Sequence, residues 1–218
     1  MITLYHCDGA RSFRPLWMLE ELGLAYELKM LPFPPRVLAK DYLAINPLGT
    51  IPFLIDGETR MTESSGICHY LGIKHGPTPL MVGPEEKDYG TFLNWMYFSD
   101  ATLTFPQTLV LRYGQLEPDE RRSPQVAGDY AKWFLGRLRA VEAATRTAEF
   151  LSAGRFTAAD IVIGYALRLA ETIGLSKDFG PNVAGYWARL QQRDGYLRAR
   201  TAEQRAGVEQ GITPRVRP

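Results

Sequence analysis

The loop between Cys7 and Pro15 carries residues whose types and spacing could do chemistry. Arg11 and Ser12 come directly before a helical pattern that begins near Phe13. A helix N-terminus has free amides and a positive field, so a hydroxyl and a guanidinium placed there would stabilise a thiolate and lower its pKa. Taken alone, Ser12 is better explained as a helix-capping residue.

Two further segments have the features of a peptide-binding site. Residues 46–52 read Asn-Pro-Leu-Gly-Thr-Ile-Pro and lie between a predicted helix and a predicted strand. Pro52 has no amide proton, so it must lie where the strand needs no ladder bond. Glu63 and Ser64 open a predicted helix, whose free amides beside a hydroxyl suit a carboxylate. Each segment also has a plain structural explanation, as a proline turn or a helix N-cap.

The remaining reactive side chains predict no second chemistry. Cys7 has no partner at Cys-x-x-Cys spacing, so dithiol redox cycling is not expected, and Cys68 fits the core face of a helix. The three histidines are not spaced as metal ligands, and no metal site is predicted. Tyr5 lies inside a predicted strand, where packing explains it better than catalysis.

Composition and charge predict an ordinary globular protein. The 218 residues are 45% apolar and 22% charged, and the net charge of +1 gives no reason to expect nucleic acid, a membrane surface or a strongly charged partner. No apolar run approaches the ~20 residues that span a bilayer. With two cysteines and no leader pattern, the protein is predicted to be cytoplasmic.

The first 76 residues alternate strand and helix patterns and predict an α/β domain over 1–76. Strands are predicted at 2–6, 26–30, 52–55 and 59–61, and helices at 12–22, 37–43 and 64–74. Asp56-Gly57 is a strong hairpin signal between the last two strands. This order predicts a mixed sheet, with a crossover first and an antiparallel hairpin last, that is thioredoxin-like in outline.

Residues 77–84 are rich in Pro and Gly and predict a rigid linker, after which no strand pattern follows. Residues 85–218 therefore predict an all-α helical bundle domain. Helices are expected at 85–113, with a bend near Pro106, at 126–141, from a capping box at Thr157 and Asp160, at 182–192 and at 196–208. The tail after Gly211 is expected to be loose.

Taken together, these features resemble the glutathione S-transferase superfamily over nearly the whole chain. The βαβαββα order, the turn at 46–52, the Glu63–Ser64 pair and the helical second half carry the likeness. The segment at 19–24 is typical of bacterial and plant members, and the box at 157–160 caps a core helix needed for folding in the family. Cysteine-type members have a catalytic cysteine where Arg11 stands, and no Tyr or Cys occupies the usual loop positions. The resemblance therefore favours a bacterial member with serine-type chemistry, or with chemistry that relies on backbone amides and Arg11.

The resemblance implies that glutathione is the cosubstrate and that the protein is a homodimer. Pro52 would be cis, the Ile51 backbone would pair with the cysteinyl part of glutathione, and Glu63 and Ser64 would hold its γ-glutamyl end. Ser12 or a near neighbour would face the sulfur.

The helical domain would complete the site. Asp100 would reach the γ-glutamyl amine across the dimer interface. The electrophile pocket would be lined by four apolar residues, Tyr97, Phe98, Leu103 and Phe105. For each of them, a place in the core is at least as good an explanation.

The function implied is that of a detoxification enzyme. Such a transferase binds glutathione, stabilises its thiolate and transfers it to a small apolar electrophile, or uses it to reduce peroxides. One alternative is a glutathione-dependent thiol-disulfide oxidoreductase, which would depend on Cys7. A second is a non-catalytic binding or scaffold protein of the same fold.

Overall fold

The computed structural model describes residues 1–212, which form two compact units. The first unit contains Met1–Thr78 together with the described chain from Gln191, and the second contains Pro79–Leu190. Of the tail after Gly211, which was predicted to be loose, only Ile212 lies within the described residues.

The first unit is built on a four-stranded mixed sheet, as predicted. Its strands are β1 (Ile2–His6), β2 (Tyr26–Met30), β3 (Phe53–Asp56) and β4 (Thr59–Met61), in the order β2-β1-β3-β4. β1 pairs parallel with β2 and antiparallel with β3, and β3 pairs antiparallel with β4. Gly57 makes the hairpin possible because its φ is +59°, in the region that favours glycine.

The described residues form nine α-helices, and none of them is long and apolar enough to cross a membrane. The helices are α1 (Phe13–Leu22), α2 (Pro35–Leu38), α3 (Ser64–Lys74), α4 (Tyr89–Phe98), α5 (Phe105–Leu111), α6 (Pro124–Ala144), α7 (Ala158–Thr172), α8 (Pro181–Gln191) and α9 (Asp194–Glu209). The thioredoxin-like domain and the helical domain predicted from the sequence are confirmed.

The helix predicted at 37–43 is replaced by two shorter segments. α2 begins at Pro35, whose ring favours the first helical turn, and it is followed by a 3-10 turn at Lys40–Ala44. Ala39 separates the two because its backbone, at φ −133° and ψ 69°, is not helical.

The long helix predicted at 85–113 is also divided. It begins at Tyr89 and passes through π-helical turns at Ser99–Thr104 and Arg112–Leu116, with α5 between them. Pro106 lies at the start of α5, directly after the first π turn. A proline cannot donate to the preceding turn, so the change of helix type falls where the sequence predicted a bend.

The last helix belongs to the first unit, although its sequence was assigned to the helical domain. The Tyr196 ring of α9 packs edge-on against Phe13 and Trp17 of α1, with ring centroids 5.6 and 5.0 Å away. Beside them, Arg193 donates two hydrogen bonds of 2.9 Å to the Glu21 carboxylate. α9 therefore covers one whole side of α1.

The Pro/Gly-rich segment predicted as a linker is held by hydrogen bonds where it enters the second unit. Arg155 donates to the carbonyls of Pro79 and Met81, both at 2.9 Å, and pairs with both oxygens of Glu86. Arg155 and the Gly83 amide together hold the pKa of Glu86 down at about 2.

The capping box predicted at the start of α7 is present and buried. The Asp160 carboxylate accepts hydrogen bonds from the amides of Thr157 (2.8 Å) and Leu151 (3.0 Å) and from the Tyr186 hydroxyl (2.8 Å). Burial raises the pKa of Asp160 to about 6, even though all these donors act in the opposite direction. One carboxylate thus joins the start of α7, the preceding loop and α8.

We expect Asp160→Ala to lower the free energy of unfolding by about 3 kcal/mol or more, because it leaves several buried donors without an acceptor. Urea denaturation followed by circular dichroism measures the loss. Asp129→Ala, on an exposed position of α6, is the matched control and should change the free energy by less than about 0.5 kcal/mol. Equal effects of the two substitutions would contradict this role for Asp160.

Candidate functional site

All three predicted segments come together within the first unit. Cys7 and Ala10, from the loop after β1, share a buried apolar cluster with Ile51 and Phe53 from the end of the turn at 46–52. The start of α3 is joined to the same loop region through α1, as described below. Residues far apart in the sequence thus pack together near the end of β1.

The loop between β1 and α1 is braced by its own hydrogen bonds. The Ala10 amide donates to the Cys7 carbonyl at 3.1 Å, and the Phe13 amide donates to the Ala10 carbonyl at 2.9 Å. Ser12 has no exposed surface, and its hydroxyl oxygen accepts the Cys7 amide at 3.4 Å. The hydroxyl therefore supports the loop from inside, whereas the neighbouring Arg11 is partly exposed.

The turn at 46–52 is held by the buried side chain of Asn46. Its amide nitrogen donates to the Thr50 carbonyl at 2.9 Å, and its side-chain oxygen accepts the Leu48 amide at 3.2 Å. Tyr42 also donates its hydroxyl proton to the Thr50 carbonyl, at 2.7 Å, and burial raises the pKa of this hydroxyl to about 12. Gly49 adopts φ +58°, and a Cβ there would meet the Arg36 side chain at 2.7 Å.

The turn leads into Ile51, whose side chain is buried. The Ile51–Pro52 peptide bond is cis, as the resemblance implied. Within residues 1–212, the Ile51 amide and carbonyl make no hydrogen bond. One backbone donor and one backbone acceptor are therefore left at Ile51, the groups that pair with the backbone of a bound peptide.

A buried arginine reaches the start of α3. Arg14, in the first turn of α1, has no exposed surface, and its Nη1 donates to the Ser64 hydroxyl oxygen at 2.9 Å. Because that oxygen accepts from Arg14, the hydroxyl proton of Ser64 is left to donate to a second acceptor. The preceding Glu63 is exposed, and its side chain makes no capping hydrogen bond. A positive charge, a hydroxyl donor and a helix N-terminus thus converge, which suits a carboxylate.

Sequence reasoning did not assign a role to Arg14. Its position two residues after Ser12 was visible, but nothing in the spacing indicated that its side chain would be buried or would reach a helix 50 residues away. The only available signal was the unusual presence of a charged residue in the apolar pattern of α1.

The two cysteines are structural in their surroundings. Cys7 and Cys68 have no exposed surface, and the Cys7 thiol points to the Pro32 carbonyl at 3.7 Å. Tyr5 packs against Tyr42, with ring centroids 5.3 Å apart, which confirms its predicted packing role. In the described part of the chain, no group of three His, Cys, Asp or Glu side chains is arranged to hold a metal ion.

The remaining predicted residues lie in the second unit, around the first π turn. Leu103 is fully buried. Its burial favours the explanation as a core residue over the explanation as a pocket residue. Tyr97 and Phe105 are well exposed, at 69% and 58%, and Phe98 is partly exposed. Asp100 is partly exposed within the π turn, and its role across a dimer interface remains a prediction.

Comparisons with known proteins agree with the fold. Residues 4–79 match the family described as glutathione S-transferase, N-terminal domain. The chain is 28% identical to glutathione S-transferase hmp2 of Hypomyces subiculosus, over 94% of this chain and all of that protein. It is 36% identical to glutathione S-transferase 3 of Schizosaccharomyces pombe, but only over 47% of this chain and 43% of that protein.

A solved structure extends the likeness to both units. The glutathione transferase URE2P6 of Phanerochaete chrysosporium, crystallised with oxidized glutathione, aligns with a TM-score of 0.81 and 26% identity. The alignment covers 94% of this chain and 97% of that one. The similarity therefore includes the helical unit as well as the sheet.

We expect Asn46→Ala to lower the free energy of unfolding by about 1–3 kcal/mol, because the Leu48 amide and the Thr50 carbonyl each lose a partner inside the turn. Thermal or urea denaturation measures the change. Asn94→Ala, at an exposed position on α4, serves as control and should be neutral. An Asn46 variant as stable as the control would show that the turn is held by other contacts.

Proposed function

We propose that this chain is a glutathione transferase that activates the thiol of bound glutathione for attack on an electrophile. By its N-terminal domain and its fold, it is a member of the glutathione S-transferase superfamily. The observation that carries the proposal is the arrangement around Ile51 and Ser64. The Ile51 amide and carbonyl make no hydrogen bond within residues 1–212, and the Ser64 hydroxyl is backed by the buried Arg14 guanidinium. These groups match the peptide and the carboxylate of an extended tripeptide.

Glutathione would bind in an extended form along this surface. The Ile51 amide and carbonyl would pair with the backbone of its cysteinyl residue, as one strand pairs with another. Ser64 would donate to the γ-glutamyl carboxylate, and the positive charge of Arg14 behind it would strengthen that bond. Glu63 is exposed beside Ser64, where it would accept from the γ-glutamyl amine.

Activation of the thiol would depend on the loop after β1. We assign Arg11 as the residue that stabilises the thiolate, together with the N-terminus of α1, because Arg11 is partly exposed at the entrance to that helix. Ser12, for which the sequence favoured a direct role, would act by holding the loop through the Cys7 amide, since its hydroxyl is buried. The chemistry would then be arginine-assisted rather than serine-type.

The acceptor would be a small apolar electrophile. Tyr97, Phe98 and Phe105 would line its pocket, and in a homodimer Asp100 of one protomer would approach the γ-glutamyl amine bound by its partner. Conjugation and glutathione-dependent peroxide reduction both fit this arrangement, in a cytoplasmic detoxification enzyme. A thiol-disulfide oxidoreductase is less well supported because the Cys7 sulfur is buried.

Calorimetric titration with glutathione tests the binding site. Ser64→Ala should weaken binding by about 10-fold to 100-fold, the effect of losing a hydrogen bond to a charged group. Ser176→Ala, in a 3-10 turn of the second unit, is the control and should bind as the wild type does. A wild-type protein that shows no binding at millimolar glutathione would refute the transferase proposal and favour a scaffold role.

The ultraviolet thiolate band of bound glutathione, followed against pH, tests the activating residue. Arg11→Ala should raise the pKa of the bound thiol by about one unit, equivalent to ~1.4 kcal/mol of lost thiolate stabilisation. Ser12→Ala should lower the melting temperature with a smaller effect on that pKa, and Arg139→Ala on α6 should change neither. The opposite ranking of the Arg11 and Ser12 variants would return the catalytic role to the Ser12 hydroxyl.

A further inference from the structure

We propose that Glu203, on α9, is a positioning residue that holds the thiolate-stabilising loop in its active geometry. The inference rests on the proposed function, because it concerns the loop that carries Arg11. It adds to that function a residue almost 200 positions away in the sequence, on the helix that completes the first unit.

The Glu203 carboxylate contacts the strand just before this loop and a residue near the start of the loop. It is 2% exposed, and its Oε1 accepts the Gly9 amide at 3.0 Å and lies 3.0 Å from the His6 Nε2. His6 is the last residue of β1 and has no exposed surface. A carboxylate can only accept, so with an ionised Glu203 the His6 Nε2 is the donor in this contact. One oxygen thus fixes the loop to the end of the strand from which it emerges.

Fixing Gly9 also fixes the residues that follow. Gly9 adopts φ +67°, a conformation that favours glycine and reverses the chain direction. The turn that contains Gly9 is closed by the Ala10 amide, which donates to the Cys7 carbonyl at 3.1 Å. The turn after it is closed by the Arg14 amide, which donates to the Arg11 carbonyl at 3.2 Å. A shift at Gly9 would therefore be passed directly to Arg11.

α9 is itself held along its length, so that Glu203 is presented from a rigid element. Near its start, Tyr196 packs on α1. Two residues later, Arg198 donates to the Glu20 carboxylate at 3.1 Å and to the Glu20 carbonyl at 2.6 Å. After its last turn, Gln210 accepts the Met30 amide and donates to the Leu28 carbonyl, both at 2.8 Å. Precise placement of a catalytic loop requires such a supporting element.

Without Glu203, the Gly9 amide and the His6 Nε2 would lose the acceptor that they share. The buried His6 ring would have to move toward another acceptor or toward water, because an unpaired buried donor is unfavourable. The loop would then shift while the Ile51 turn and the start of α3 stay in place. Glutathione should still bind, but its sulfur would no longer meet a correctly placed Arg11.

Glu203→Ala and Glu203→Gln separate positioning from charge and from simple stability. Glu203→Ala should raise the pKa of the bound glutathione thiol by about one unit and lower kcat with a model electrophile by about 10-fold, with a smaller change in the KM for glutathione. Glu203→Gln keeps an acceptor oxygen at the same place and should restore both values to within about 3-fold of wild type. Arg198→Ala removes another contact of α9 and should lower the melting temperature without moving the pKa.

The assignment is overturned if Glu203→Ala leaves the thiol pKa and kcat unchanged, if Glu203→Gln behaves like Glu203→Ala, or if Arg198→Ala shifts the pKa as much. Should Glu203→Ala fail to fold, Glu203→Asp withdraws the carboxylate from Gly9 and is measured in its place, with the same shift in pKa expected. A wild type that binds no glutathione overturns the proposed function instead. Amide hydrogen exchange then tests the positioning directly, since protection of Gly9 should fall in the Ala variant and persist in the Gln variant.

Discussion

The hydrogen bond between Arg14 and Ser64 is the interaction on which the geometry of the first unit depends. A guanidinium with no exposed surface is tolerated only where its donors are satisfied, because an unpaired buried charge is strongly unfavourable. This requirement fixes the start of α1 against the start of α3. The hydrogen bond thus restrains the separation between the loop after β1 and the start of α3, and a ligand that spans both, as proposed above, would meet a preformed site.

Other buried polar groups apply the same principle to the neighbouring segments. Asn46 sets the course of the turn before Ile51, and Ser12 supports the loop after β1 from inside. Asp160 joins three segments of the second unit. In each case one side chain forms hydrogen bonds with backbone groups that lie outside regular secondary structure. In the proposed site, the side chains that hold the backbone would mostly not contact the ligand themselves.

Much of the fold was predictable because its signals are local. The strands, the bounds of α3, the hairpin at Asp56-Gly57 and the capping box of α7 each follow from a few adjacent residues. The helix predicted at 37–43 was wrong because the double proline at 34–35 moved its start. Around the proposed site, the sequence predicted the segments, and their role in binding stays a prediction. The burial of Ser12 and the reach of Arg14 were not predicted, because burial is decided by residues that are distant in the sequence.

α9 shows the same limit at the level of domains. Its sequence pattern is that of an amphipathic helix, which says that one face is covered but not by what. The fold places it against α1, so the first domain is assembled from two stretches of chain separated by the whole helical unit. During synthesis, this domain cannot finish folding when its sheet has left the ribosome, because α9 has not yet been made. Phe13, Trp17 and the His6 ring must wait for the last helix to be made, so the order of folding on the ribosome favours completion of the second domain before the first.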